Sequence, residues 1–154
     1  MVAPICFVQA LVFITNYQGH VLHVANDINP TVRPIVAMPR ATPTIANQLW
    51  DFIPINFPDN TQFIVESSQQ TEPPGIFLGV QTPASPHFVQ ASGQRSSLDF
   101  NLVQCINSTA GAIIEPTSGL ALTAWPIDPA GTATPVTYET YTGVQNQIWD
   151  FVKA

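Results

Sequence analysis

The stretch Asn47-Gln48-Leu49-Trp50-Asp51-Phe52 returns almost letter for letter at the C-terminus as Asn146-Gln147-Ile148-Trp149-Asp150-Phe151. Midway between them, residues 97–102 keep the alternation of apolar and polar residues, with Phe100 as the aromatic anchor, but lack the Gln and the Trp. The anchors therefore recur about every 50 residues, a period typical of repeat architectures whose units bury their apolar faces together. We predict a single domain of three repeats, approximately 1–55, 56–104 and 105–154.

The composition indicates a protein built from strands that does not bind polyanions. The chain has 154 residues, of which 45% are hydrophobic and 9% charged, and ten carboxylates against four Lys and Arg give a net charge of −6. Nucleic acid and anionic membrane surfaces are therefore disfavoured as partners, and we expect no membrane insertion. The 15 prolines, together with many β-branched residues, favour short strands and tight loops. No stretch keeps a helical apolar period over three turns, so almost no helix is predicted.

Four strands are predicted in each repeat. In the first repeat they cover 5–14, 20–25, 34–38 and 50–53, with a hairpin turn at 16–19. The corresponding segments are 62–65, 76–80, 88–90 and 100–103 in the second repeat. In the third they are 112–114, 120–124, 135–138 and the strand that begins at Trp149. Gly19, Gly75 and Gly119 occupy the predicted hairpin turns, where a positive φ is needed.

The cysteines and histidines give no sign of a disulfide framework or a metal site. Cys6 and Cys105 are too few for a framework and lie in apolar stretches, so we expect buried free thiols. His20 and His23 are three apart in a strand and point to opposite faces, so they cannot share an ion. No catalytic or phosphate-binding motif appears, which predicts no enzyme activity, metal or cofactor. The N-terminal run lacks a basic start and is interpreted as a strand, not a signal peptide, which predicts a cytoplasmic protein.

Four strands in each of three repeats, with Gln-x-Trp late in two of them, resemble the ricin-B-like (R-type, Gln-x-Trp) β-trefoil lectins, of the fungal type. The resemblance implies an all-β fold, a β-trefoil of three four-stranded repeats of about 50 residues. It also implies that the Trp packs in the core and the Gln ties down a nearby loop. The implied function is non-enzymatic binding of galactose or N-acetylgalactosamine glycans on glycoproteins or glycolipids. The implied biological role is that of a defensive agglutinin, with several sites or a homodimer supplying avidity.

The sugar-binding pattern of that family is only partly present. Its Asp on the second strand is replaced by His23, Gly79 and Thr123, and its platform position falls on Met38 and near Tyr138. Only the Asn before the motif Gln is retained, at Asn47 and Asn146. We therefore predict a blank second repeat and two candidate sites. The first comprises His23, Asp27, Arg40 and Asn47, and the other comprises Trp125, Asp128, Tyr138, Tyr141 and Asn146.

Each candidate also has a purely structural interpretation. Trp125 would then cap the barrel, His23 would be a half-exposed strand residue, and the two Asn would satisfy backbone groups. Another function is open as well, that of a β-trefoil protease inhibitor. It would act through a rigid loop at 29–33 or 39–43, with Arg33 or Arg40 as the specificity residue.

Overall fold

The structure is a computed structural model that describes residues 11–25, 32–56, 58–69, 75–80, 88–94, 100–127, 129 and 131–154. At residue 32 and residues 88–94 only the backbone is described. The regular structure of these residues comprises twelve strands and two 3₁₀ helices, and no α-helix. The strands are β1 (Val12–Thr15), β2 (Val21–Val24), β3 (Val32–Met38), β4 (Trp50–Pro54), β5 (Gln62–Ser67), β6 (Phe77–Val80), β7 (Phe88–Gln94), β8 (Asn101–Cys105), β9 (Ala110–Ile114), β10 (Leu120–Ala124), β11 (Thr134–Thr140) and β12 (Trp149–Lys153). The short helices η1 (Ala46–Gln48) and η2 (Gln145–Gln147) immediately precede β4 and β12.

Six strands close into a ring. β1 pairs with β12 and β4, β5 pairs with β4 and β8, and β9 pairs with β8 and β12, all antiparallel. Burial alternates along the ring strands as a barrel requires: in β5, Phe63, Val65 and Ser67 are buried while the residues between them are partly exposed. The ring therefore encloses part of the apolar core.

Three further strand pairs cover one end of this ring. β2 pairs with β3, β6 with β7 and β10 with β11, and the outer members β3, β7 and β11 also pair with one another. Between this triangular cap and the ring lies one continuous core that contains Trp50, Trp149 and Leu22 with no exposed surface. The predicted all-β fold with almost no helix is confirmed.

The turn between β1 and β2 shows how sequence sets local structure. Asn16 Oδ1 accepts hydrogen bonds from the backbone N–H groups of Gln18 (3.0 Å) and His20 (2.9 Å). Gly19 closes the turn at φ +83°, in the left-handed region that favours glycine. The predicted turn glycines Gly75 and Gly119 also have positive φ. The predicted strand over 5–14 is described only from residue 11, and β1 begins at Val12.

In the predicted second repeat, the buried residue at the anchor position is Asn101, so the prediction that Phe100 fills this position is wrong by one residue. Trp50 and Trp149 each donate the indole N–H to a backbone oxygen, that of Leu22 (3.0 Å) and Leu122 (2.9 Å). Asn101 Nδ2 makes the same bond to Leu78 (3.2 Å). An amide can replace the indole N–H as donor, and alternation in the strand then turns Phe100 away from this position.

Tyr138 packs beside Asn101, the residue that stands where Trp50 and Trp149 stand in the other two predicted repeats. It lies opposite Leu122 in the β10–β11 pair, at the register position that Ala37 takes opposite Leu22. The Tyr138 hydroxyl donates to Asn101 Oδ1 over 2.8 Å, and both side chains are buried. A large side chain from β11 therefore packs against the smaller residue of β8 and satisfies its oxygen.

The expectation of a free thiol at Cys105 is also wrong. The structure has Cys105, the last residue of β8, in a disulfide, and no described cysteine is free. The other cysteine, Cys6, lies outside the described residues. A disulfide stabilises a fold chiefly by restricting the unfolded chain, an effect that depends on the loop it closes.

Candidate functional site

The motif glutamines are structural and hold the loops that precede β4 and β12. Gln48 Oε1 accepts from the Ala41 N–H (2.8 Å), and Gln48 Nε2 donates to the Pro39 oxygen (3.0 Å). Gln147 similarly accepts from the Thr142 N–H (2.8 Å) and donates to the Thr140 oxygen (2.9 Å). Both glutamine side chains are buried. Each therefore fixes the loop between its cap strand and its ring strand.

The motif asparagines differ in how their polar atoms are satisfied. Asn47 Nδ2 donates to the Val24 oxygen at the end of β2 over 3.0 Å. This bond supports the purely structural interpretation of Asn47. Asn146 Oδ1, at the corresponding place in η2, is buried without a hydrogen-bond partner. Asn146 as a whole is partly exposed, and none of the described residues donates a hydrogen bond to its side-chain oxygen, whereas the amide of Asn47 is bonded to the fold.

Trp125, directly after β10, carries the most distinctive surface feature of the third repeat. Its indole N–H donates to Thr137 Oγ1 over 2.9 Å, and the Thr137 hydroxyl in turn donates to Glu139 Oε1 over 3.1 Å. Thr137 is buried and Glu139 is partly exposed, whereas 40% of Trp125 is exposed. The chain of hydrogen bonds fixes the orientation of an indole plate that faces solvent.

Contacts between η2 and β10 bring Asn146 to the same region. η2 packs against β10, and Gln147 Nε2 donates to Thr123 Oγ1 over 3.2 Å. Asn146 therefore lies beside the end of β10, from which Trp125 follows. The aromatic plate of Trp125, the carboxylate of Glu139 and the amide of Asn146 are therefore the candidate groups of one surface site.

Thr137 and Glu139 were not among the residues predicted from sequence. Tyr138 was predicted instead, and that prediction is wrong because Tyr138 has no exposed surface. In β11 alternate side chains face opposite sides, so an inward Tyr138 places Thr137 and Glu139 together on the outer side. Their spacing of two residues could have identified them, but only with knowledge of which side of the strand the Tyr138 side chain occupies.

The remaining third-repeat candidates are less informative. Tyr141 is partly exposed on the loop that Gln147 holds. Its hydroxyl lies near Gly143, 3.8 Å from the position that a Cβ atom would take on that glycine. Asp128 lies outside the described residues, as does Asp27 of the first repeat.

The structure does not show the first-repeat candidates converging on one site. The Arg40 guanidinium carbon stacks over the Phe13 ring at 3.8 Å from its centroid. His23 is partly exposed, its Nδ1 is buried without a hydrogen-bond partner, and burial lowers its pKa below the usual value. Among the described candidates of the first repeat, Asn47 is bonded to the backbone, Arg40 is stacked on Phe13, and burial disfavours the charged form of His23.

In the second repeat a small cleft lies where the other repeats carry their motif. Gly79, Val80, Phe100 and Asn101 line it together with the turn at 115–117. The polar groups of Asn101 are used within the core. The Glu115 carboxylate accepts from the N–H groups of Thr117 (2.9 Å) and Ser118 (2.7 Å) in its own turn. None of these contacts is directed at a ligand, and the predicted blank repeat stays a prediction.

The loops proposed for protease inhibition gain little from the structure. Arg33 lies within β3, where it pairs with Gly93, so it is not presented on an exposed loop as the hypothesis required. Residues 29–31 lie outside the described part of the chain. Arg40 is exposed but stacked on Phe13, in a loop that Gln48 holds.

Comparisons with solved structures identify the type of fold. No family model and no curated protein matches the sequence. Among solved structures, an agglutinin of Rhizoctonia solani is similar with a TM-score of 0.76 and 19% identity, over 99% of this chain and 100% of the agglutinin. The ricin B-like lectin of Macrolepiota procera, solved with lactose, has a TM-score of 0.65 and 20% identity over 100% and 99% of the two chains. A protein described as the BEL β-trefoil has a TM-score of 0.64 and 15% identity over 99% and 100%.

These likenesses show that the chain has a β-trefoil fold, of the kind found in ricin B-like lectins. At such identities they extend to the fold alone, because one fold hosts many functions. Separately, none of the described helices is long and apolar enough to span a bilayer. Function has to be argued from the site.

Proposed function

We propose that this protein is a lectin that binds carbohydrate without catalysing a reaction, through the third-repeat site formed by Trp125, Thr137, Glu139 and Asn146. The observation that carries the proposal is the exposed indole of Trp125, held in place by the hydrogen bonds to Thr137 and Glu139. A plate fixed before the ligand arrives loses little conformational entropy on binding.

The chemistry of these groups suits a sugar ring. The apolar C–H face of a pyranose would lie on the indole, while its hydroxyls would hydrogen-bond to the Glu139 carboxylate and to the partly exposed side-chain amide of Asn146. Pairing of this kind is selective because a wrong hydroxyl pattern leaves polar groups unsatisfied. We propose galactose or N-acetylgalactosamine ends of glycoproteins or glycolipids as ligands, supported by the lactose bound to the Macrolepiota lectin.

We also interpret the fold as three four-stranded repeats within one domain. The support is that each predicted repeat supplies one hairpin to the cap and two strands to the ring. The equivalent side-chain bonds of Trp50, Asn101 and Trp149 support it further. One complete site per chain would give no avidity, so agglutination would need a second site or a homodimer.

Direct binding therefore tests the function better than agglutination does. We expect a glycan array to give signal for galactose-terminated glycans, and Trp125→Ala to weaken binding in calorimetry by at least about tenfold. Glu139→Gln should weaken it less, since an amide oxygen can still accept from Thr137. Ile106→Ala, at an apolar side chain that is 53% exposed on the β8–β9 turn, is the matched control. A silent array, or equal binding by the Trp125→Ala and Ile106→Ala variants, would refute the proposal.

A further inference from the structure

A hydrogen bond joins the segment that follows Trp125 to the turn between β1 and β2. The Ile127 N–H, two residues after Trp125, donates to Gln18 Oε1 over 3.0 Å. Gln18 lies in the turn between β1 and β2, 109 residues away in sequence. The segment that leaves Trp125 is therefore held against the first hairpin turn of the chain.

That turn is held by hydrogen bonds between its own residues. The Asn16 N–H donates to the His20 oxygen (2.8 Å), and the Gly19 N–H donates to the Asn16 oxygen (3.0 Å). The Asn16 side chain, 2% exposed, bonds to the backbone of Gln18 and His20. The turn presents Tyr17 to solvent with 37% of its surface exposed. An exposed tyrosine on a rigid turn is well suited to recognition, since it offers a large plate and a hydroxyl at low entropic cost.

Two exposed aromatic residues thus stand on either side of the Gln18–Ile127 bond. From Trp125 to Ile127 the backbone spans at most about 7 Å, and from Gln18 to Tyr17 about 4 Å. One glutamine side chain bridges the gap between them. The two aromatic side chains are attached at different points of this path, and two or three linked sugar rings can reach from one to the other.

We infer that the binding surface extends from Trp125 across the Gln18–Ile127 contact to Tyr17, and that the protein prefers an oligosaccharide to a monosaccharide. The inference rests on the proposed function and deepens it. Trp125 would hold the terminal ring, Tyr17 would contact an inner ring, and Gln18 would act as a positioning residue that fixes the spacing of the two plates.

Calorimetry with methyl β-galactoside and with a galactose-terminated tetrasaccharide tests the inference. We expect the wild-type protein to bind the tetrasaccharide more tightly. Tyr17→Ala should reduce tetrasaccharide affinity by at least about fivefold and leave the galactoside affinity unchanged within about twofold, as expected for one lost aromatic contact. Tyr17→Phe should retain most of the affinity because the ring remains. Ile106→Ala serves again as the exposed apolar control, with thermal unfolding of every variant checked.

The outcomes separate this inference from the proposed function. If Tyr17→Ala binds both ligands as the wild type does, or loses both equally, the extended surface is refuted while binding at Trp125 stands. If the wild type binds neither ligand, the lectin proposal itself fails and the extension falls with it. Gln18→Ala should weaken tetrasaccharide binding and Gln18→Glu should restore part of it, because a carboxylate still accepts from Ile127. Equal behaviour of the two Gln18 variants would contradict the positioning role.

Discussion

Replacing Tyr138 by phenylalanine would remove one hydroxyl from the centre of the protein and leave the ring in place. That hydroxyl donates to Asn101 Oδ1 over 2.8 Å, and the two side chains are 0% and 1% exposed. Water cannot replace the lost donor at such a buried oxygen. An unsatisfied buried acceptor costs about 1–3 kcal/mol. At about 2–4 °C per kcal/mol for a domain of this size, Tm should fall by roughly 2–12 °C.

Urea denaturation of Tyr138→Phe beside Tyr141→Phe is the appropriate assay. Tyr141 is partly exposed, and we expect its variant to stay within about 0.5 kcal/mol of the wild type. Adding Asn101→Ala and the double variant completes a cycle, whose coupling energy should be about 0.5–1.5 kcal/mol. A Tyr138→Phe protein as stable as its Tyr141→Phe control, or a coupling energy near zero, would show that the hydroxyl and the amide are not partners in the core.

Four other predictions concern loops, protonation and the disulfide. Gln48→Ala should cost about 1–3 kcal/mol because it removes a buried side chain and its two hydrogen bonds to the loop, whereas Gln104→Ala at an exposed position should cost little. Equal unfolding midpoints of the two variants would contradict this. Burial acts to raise the pKa of Glu115, but hydrogen bonds from Ser118 and Thr117 lower it below the usual 4.5. Its contribution to stability is therefore present above pH 4.5 and is lost as pH falls through the lower folded pKa. Glu115→Gln should make the unfolding midpoint depend less on pH in that range. Burial lowers the pKa of His23 below 6.5, so stability should also fall as pH drops below 6.5, and His23→Gln should remove that part of the loss. Cys105 should resist alkylation until a reductant is added, and alkylation of the unreduced native protein would contradict the disulfide.

The disulfide also bears on the cellular location of the protein. Disulfides persist mainly in oxidising environments and are rare in the cytosol. The cytoplasmic location drawn from the N-terminal sequence therefore stays a prediction. Localisation of the tagged full-length chain would test it.

Sequence alone was enough for the class of fold, because β structure leaves local signals that do not depend on distant residues. The turn residues Asn16 and Gly19 specify a hairpin through their own conformational preferences. The family resemblance carried by the repeated Gln-x-Trp implied a buried Trp and a glutamine that ties down a loop, and the burial of Trp50 and Trp149 and the bonds of Gln48 and Gln147 bear this out. Such features lie within a few residues of each other or recur at a fixed period.

Only the tertiary structure decided which side chains form the site. Side chains alternate in a strand, so an error of one residue moves a residue from core to surface, as happened with Phe100 in place of Asn101 and with Tyr138 in place of Thr137 and Glu139. The hydroxyl of the inward Tyr138 is bonded to Asn101, 37 residues earlier, and the backbone two residues after Trp125 is bonded to Gln18, 109 residues away in sequence. Contacts between such distant residues leave no period or motif in the sequence, because they exist only once the strands have closed into the barrel and its cap.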